Sequence, residues 1–217
     1  MTAGPAAAVG EPVSQVLDVR FFGEAFVTLF VIMDPPGTIP LFLALMAGRT
    51  GRARRRGAWK AVAVSFAVIC SFAVFGQQIL DYLGIGIPAL QGAGGLLLLL
   101  VALDLLTGRA EDPRQVEDVN VALVPLGTPL LAGPGAIVAT IVFVRRANGV
   151  ADLIALAAAI VAVHLLLYAA LRYSGAIMRV VRESGIVLVT RIAGLLLSAI
   201  AVQLVADSVL GFVAEAR

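Results

Sequence analysis

The chain has 217 residues, of which 60% are hydrophobic and 14% charged, with a net charge of +2 and a mean hydropathy of +1.01. Soluble domains run at about 45–50% apolar and about 25% charged, so a soluble globular core, a disordered tail and a secreted disulfide scaffold are all excluded. The charge balance lacks the basic stripe that nucleic-acid binding requires, and the single cysteine, Cys70, can form no intrachain disulfide.

Residues 1–20 read as a polar N-terminal tail, with Glu11, Asp18 and Arg20 among Pro, Ala and Gly and no basic-then-apolar pattern of a cleavable leader. Six helical spans are predicted after it, at 21–47, 58–80, 87–106, 119–144, 151–172 and 187–213. Each approaches the roughly 20 mostly apolar residues that cross a bilayer. No charged residue occurs from Ala61 to Leu80, from Tyr82 to Leu103 or from Val119 to Val144. Such continuous runs differ from the alternating pattern of outer-membrane barrel strands. The fold class is an all-α membrane protein, with 21–213 as a single transmembrane domain.

The basic residues set an orientation. Arg49, Arg52, Arg54, Arg55, Arg56 and Lys60 fall between spans one and two, and Arg109 and Arg114 between spans three and four. Arg172, Arg179 and Arg182 fall between spans five and six, which makes eleven on one side. By the positive-inside rule, the Arg49–Lys60 loop is predicted in the cytoplasm and both termini outside.

Two pairs of segments recur at nearly one offset. Pro36-Gly37 and Pro134-Gly135 are 98 residues apart, and Gly95-Leu96-Leu97-Leu98 and Gly194-Leu195-Leu196-Leu197 are 99 apart. The spans therefore divide three plus three, with repeat one at 21–106 and repeat two at 119–213. An odd number of spans per copy makes the second copy enter from the opposite side, giving an inverted repeat about an axis in the membrane plane. Proline removes a helical hydrogen bond and clashes with the preceding turn, so helices one and four are predicted to be broken. A half-helix starting after a break presents unpaired N–H groups and a positive dipole end, which suit a carboxylate.

The candidate substrate site gathers both breaks: Asp34, Pro35, Pro36, Gly37 and Thr38 in span one, with Thr128, Gly133, Pro134 and Gly135 in span four. Asp34 is the deepest acid, and an intramembrane acid is costly enough to imply a function. It can bind a substrate ammonium, coordinate sodium or carry a proton; capping the following half-helix is a compatible second role. Thr38, Thr128 and Thr140 offer hydroxyls, with bonding back to a helical carbonyl as the alternative. His164 reads as a packed interhelical hydrogen bonder, Gly92–Gly95 as a close helix contact and Trp59 as an interfacial anchor. No HExxH or GxSxG motif occurs, so neither an enzyme nor a metal site nor a cofactor is expected, beyond a coupling proton or sodium ion. The expected partners are a small-molecule substrate and the lipid bilayer.

The stretch from Phe26 to Phe42, through Met33-Asp34-Pro35-Pro36-Gly37-Thr38, resembles the first span of the MarC family, also called the neutral amino acid transporter family. Pro125-Leu126-Gly127-Thr128-Pro129-Leu130-Leu131-Ala132-Gly133-Pro134-Gly135-Ala136-Ile137 is similar to its fourth-span motif, and Arg191-Ile192-Ala193-Gly194-Leu195 to the start of its last span. The resemblance covers about residues 21–213. It implies six spans in the bacterial inner membrane and, as for some members, transport of small neutral amino acids such as glycine or alanine. The family often has Asn-Pro where this chain has Asp34-Pro35; an acid in place of the amide favours proton or cation coupling, or a different substrate. The alternative function is a non-transporting multi-span protein acting as assembly partner or sensor. A fluorescent reporter fused to the C-terminus is expected to stay dark and an export-dependent enzyme reporter to be active; the reverse result overturns the orientation.

Overall fold

A computed structural model describes residues 18–108 and 131–216. Among the described residues the regular elements are seven helices: α1 (Val19–Met33), α2 (Pro35–Leu45), α3 (Gly51–Leu83), α4 (Ile87–Thr107), α5 (Pro134–Arg146), α6 (Val150–Arg172) and α7 (Ser174–Glu215). Five stretches are long and apolar enough to cross a membrane: Val19–Leu43, which runs through α1 and α2, then α3, α4, α6, and Ser184–Glu215 within α7. The expected fourth span is represented by α5, whose 13 residues extend only about 20 Å at 1.5 Å per residue. Residues 119–130, and Thr128 with them, lie outside the described residues.

Local chemistry accounts for the helix ends. Asp18 caps α1, its carboxylate accepting the Phe21 N–H at 2.9 Å. Thr50 caps α3 through its hydroxyl, which accepts the Ala53 N–H at 3.3 Å. Gly84 and Gly108 end α3 and α4 in the left-handed conformation, at φ 67° and 73°, which costs glycine little.

Two expected loops are helical instead. Arg52, Arg54, Arg55, Arg56 and Lys60 belong to the first turns of α3, not to an Arg49–Lys60 loop. At 33 residues, α3 reaches about 50 Å, beyond a hydrocarbon core of about 30 Å. Arginine, lysine and alanine are good helix formers, so the helix continues into the aqueous interface. Similarly, a single residue, Tyr173, separates α6 from α7, and Arg179 and Arg182 lie on α7.

The ends of the helices sort to two sides. Arg145 Nη2 pairs with Asp81 Oδ1 at 3.0 Å and Arg146 Nη2 with Glu24 Oε2 at 3.3 Å, bringing together the start of α1 and the ends of α3 and α5. A Cβ on Gly86, just before α4, would lie 3.7 Å from Glu215 Oε1, so α7 finishes at this end too. These pairs are exposed and contribute little stability, but they mark which ends coincide. The arginines of early α3, Arg172 and Arg179 sit at the opposite end.

Two larger buried clusters hold the bundle, with a smaller one of Ile39, Ala170 and Ile186 between α2, α6 and α7. The larger joins α1, α3, α5 and α6 around Leu29, Ile69, Phe143 and Leu167. The second joins α1, α4 and α7 around Val31, Leu98, Ala102, Leu197 and Ala201. Small residues bring α4 and α7 together: a Cβ on Gly95 would lie 2.8 Å from the Ala201 carbonyl oxygen, and one on Gly194 3.3 Å from that of Ala102. His164 is satisfied in the interior, with Nδ1 2.8 Å from the Ile160 carbonyl oxygen and Nε2 3.2 Å from Ser65 Oγ. Replacing Gly95 by Ala is expected to destabilise the protein by about 1–3 kcal/mol through overpacking against backbone. Gly23→Ala, with nothing within 4 Å of its new carbon, is expected to be nearly neutral; equal melting temperatures in detergent would contradict the packing.

Candidate substrate site at the helix breaks

A helix broken inside a membrane must satisfy its freed backbone groups internally, because no water is at hand. Asp34 does this on both sides of the first break. It ends α1 in the left-handed conformation, at φ 38° and ψ 66°, a region that Asp tolerates better than most residues. Its N–H donates to the Phe30 carbonyl at 3.0 Å, and its own carbonyl accepts the Thr38 N–H at 3.1 Å. Its Oδ1 accepts the Gly37 N–H at 3.2 Å. Pro35 and Pro36 have no N–H to satisfy, and proline is favoured at the first helical position for that reason.

The first turn of α2 therefore offers no spare N–H. The expectation that its backbone donors would meet a substrate carboxylate is corrected: two prolines remove them and the Asp34 carboxylate takes the next. What remains is the opposite polarity. Asp34 is buried, at 6% exposure, and its Oδ2 has no hydrogen-bond partner among the described residues. Thr190 Oγ1, from α7, is likewise buried without a partner. The two groups flank Gly37: a Cβ there would collide with the Asp34 carboxylate and lie 3.1 Å from Thr190 Oγ1. Only glycine leaves that space open.

Pro35 and Pro36 also line an open apolar cavity of ≈ 210 Å³, together with Ile39 of α2, Leu166 and Ala170 of α6 and Val189 of α7. Thr38 is buried, and its hydroxyl donates back to the Pro35 carbonyl at 2.9 Å. Thr140 does the same to Ala136 at 2.7 Å. Both side-chain donors are thus used within their own helices.

The second break opens α5. Gly133 is its N-cap, with no side-chain hydrogen bond, and Pro134 follows at the start of the helix. The Ala136 and Ile137 N–H groups both turn to the Gly133 carbonyl, at 3.0 and 3.2 Å. Gly135 is the second residue of α5, a position whose N–H has no acceptor within the helix. A Cβ on Gly135 would collide with Leu98 of α4 and lie 3.4 Å from Ile32 Cγ2. The start of α5 is thus pressed against the last turn of α1, two residues before Asp34. Gly135 is buried, Gly133 half-buried and Pro134 exposed.

Thr190 is the residue that sequence reasoning missed. Its only signal is a hydroxyl in an apolar run, directly before the Arg191-Ile192-Ala193-Gly194-Leu195 stretch. Its pairing with Gly37 depends on α7 packing against α2, which no local pattern encodes.

These features define a multi-span helical membrane protein with an unpartnered carboxylate oxygen at a broken helix. The family model described as MarC family integral membrane protein matches residues 19–213, and the chain belongs to that family. Among similar proteins, a UPF0056 membrane protein of Methanocaldococcus jannaschii is 35% identical over 202 residues, covering 90% of this chain and 98% of the relative. The UPF0056 membrane protein YhcE of Escherichia coli K12 is 32% identical over 203 residues, covering 89% and 94%. The UPF0056 inner membrane protein MarC of Escherichia coli O157:H7 is 31% identical over 209 residues, covering 88% and 95%. No solved structure matches.

The cap makes a distinct stability prediction. Asp34→Ala is expected to lose about 0.5–2 kcal/mol, the usual cost of removing an N-cap. Asp34→Asn keeps an oxygen to accept the Gly37 N–H and is expected to retain most of it. Thermal unfolding in detergent separates the two; equal losses would show that the side chain does not cap α2.

Proposed function

We propose that this protein is a secondary transporter of small neutral amino acids or related small metabolites, working by alternating access in the bacterial inner membrane with both termini outside. One observation carries the reading: Asp34 Oδ2 and Thr190 Oγ1 are buried on either side of Gly37, at a helix break, without partners among the described residues. A buried polar atom left unpaired costs about 1–3 kcal/mol, so a site that keeps two of them is suited to a ligand that satisfies both. In the proposed binding mode Asp34 meets the substrate ammonium or a coupling proton or sodium ion. Thr190 adds a hydroxyl, the Gly135 N–H meets the substrate carboxylate, and the apolar cavity beside Pro35 and Pro36 takes an aliphatic side chain.

The reading includes six spans arranged as an inverted three-plus-three repeat, with α1–α2, α3 and α4 related to span four, α6 and α7. Helix packing supports it. α2 packs on α6 and α7 as α5 packs on α3 and α4. Positions 99 apart also meet: Ser65 bonds to His164, and Leu98 shares a buried cluster with Leu197, as Ala102 does with Ala201. In a two-fold arrangement, residues near the axis contact their own equivalents. Broken helices at corresponding positions of two inverted halves are the usual place for a midplane substrate site.

Uptake of labelled glycine, alanine and serine into proteoliposomes, with and without proton and sodium gradients, tests the proposal. Transport stimulated by one gradient is expected. Asp34→Ala and Thr190→Ala are each expected to lower it by about tenfold or more, the weight of a hydrogen bond to a charged group, and Gly135→Leu is expected to lower it by driving a side chain into Leu98 at the second break. Thr190→Ala leaves the cap of α2 intact, so its effect is not one of folding. Unchanged transport in all three variants would overturn the site, and no transport of any of the three solutes would overturn the function.

A further inference from the structure

A second site lies at the basic end of the bundle. α3 begins there beside the corner where α6 turns into α7 through Tyr173. A cavity of ≈ 250 Å³ opens between them, reached by Arg54 and Arg55 from α3, Arg172 from α6 and Arg179 from α7. No carboxylate occurs among its described lining residues.

Two of the four guanidinium groups are held in place. Arg179 Nε donates to the Gly175 carbonyl at 3.2 Å. Arg172 sits over the Tyr173 ring, 5.2 Å from its centroid. Arg54 lies against the backbone of α7, its Nη1 3.9 Å from where a Cβ on Gly175 would stand. Arg54 Nε is buried and has no hydrogen-bond partner among the described residues. Like charges converging on one cavity repel one another, and a buried donor without a partner is costly. One anion relieves both. The planar guanidinium fork suits the oxygens of a phosphate, which it can bind through two parallel hydrogen bonds. The first turns of α3 and α7, at Gly51 and Ser174, line the same cavity and add the positive ends of two helix dipoles.

The aromatic residues set its depth. The Trp59 and Tyr168 rings meet edge to face with centroids 5.8 Å apart. They lie about 6–8 Å along their helices from Arg54 and Arg172, toward the bundle centre, at 1.5 Å per residue. Trp and Tyr concentrate at the membrane–water interface, so the cavity falls at the level of the lipid phosphates. Basic pockets between spanning helices at that level bind anionic headgroups.

We propose that this cavity binds a phosphate group, carried by an anionic lipid headgroup or by a soluble phosphate compound. Native mass spectrometry of the full chain from micelles with equal phosphatidylglycerol and phosphatidylcholine tests the lipid source. Inorganic phosphate titrated against the protein in phosphatidylcholine nanodiscs, read by calorimetry, tests the soluble one. Preferential retention of phosphatidylglycerol, or saturable phosphate binding, is expected, and whichever arm responds names the source. Arg54→Gln and Arg172→Gln are expected to weaken it by about tenfold or more. Arg54→Lys, which keeps the charge but loses the fork, is expected to weaken it less. Arg52→Gln, on the same helix but not lining the cavity, is expected to leave it unchanged. No preference and no phosphate binding, or an equal loss in Arg52→Gln, would overturn the proposal.

Discussion

The structure depends on how one helix is broken where water is absent. The helix is interrupted at Asp34, and every backbone group that the interruption frees must find a partner inside the protein. Asp34 meets most of that need alone: its N–H closes α1, its carbonyl opens α2, and one carboxylate oxygen takes the Gly37 N–H. The two prolines that follow have no donors to satisfy. The break is thus nearly self-contained, and among the described residues the second carboxylate oxygen is left without a partner. That leftover oxygen is the chemical asset of the site.

Glycine determines what surrounds it. Gly37 keeps space between the Asp34 carboxylate and Thr190, and Gly135 lets α5 begin against Leu98 and Ile32. Gly95 and Gly194 draw α4 and α7 to backbone contact. With lipid tails as apolar as the side chains, small residues and close packing hold membrane helices together. Close packing of α7 is also what delivers Thr190 to the break. The site and the α4–α7 contact are therefore coupled: loosening that contact displaces the one polar group that α7 contributes.

Much of this was legible in the sequence because its causes are local. Asp34-Pro35-Pro36-Gly37 can hardly continue an α-helix, and the structure breaks there. Gly133-Pro134 marks the start of α5 for the same reason. The Gly92–Gly95 run packs closely, and His164 is an interhelical hydrogen bonder, both as read. What was not legible is set by tertiary structure or by the surrounding medium. Thr190 matters only because α7 lies beside α2. The absence of spare N–H groups on α2 follows from the direction in which the Asp34 side chain turns. The basic segments read as loops are helical because Arg, Lys and Ala extend α3 and α7 into the interface, where hydropathy falls but helix propensity does not.

The central claim is that the space between Asp34 and Thr190 is a ligand site reached from water. Thiol accessibility tests it most directly, since Cys70 is the single native cysteine and can be replaced by Ala. In that background, Thr190→Cys is placed in proteoliposomes and exposed to a membrane-impermeant thiol reagent from each side in turn. Modification from both sides, slowed by added alanine, is expected. A thiol that reacts from neither side, or at a rate that alanine does not change, would contradict it.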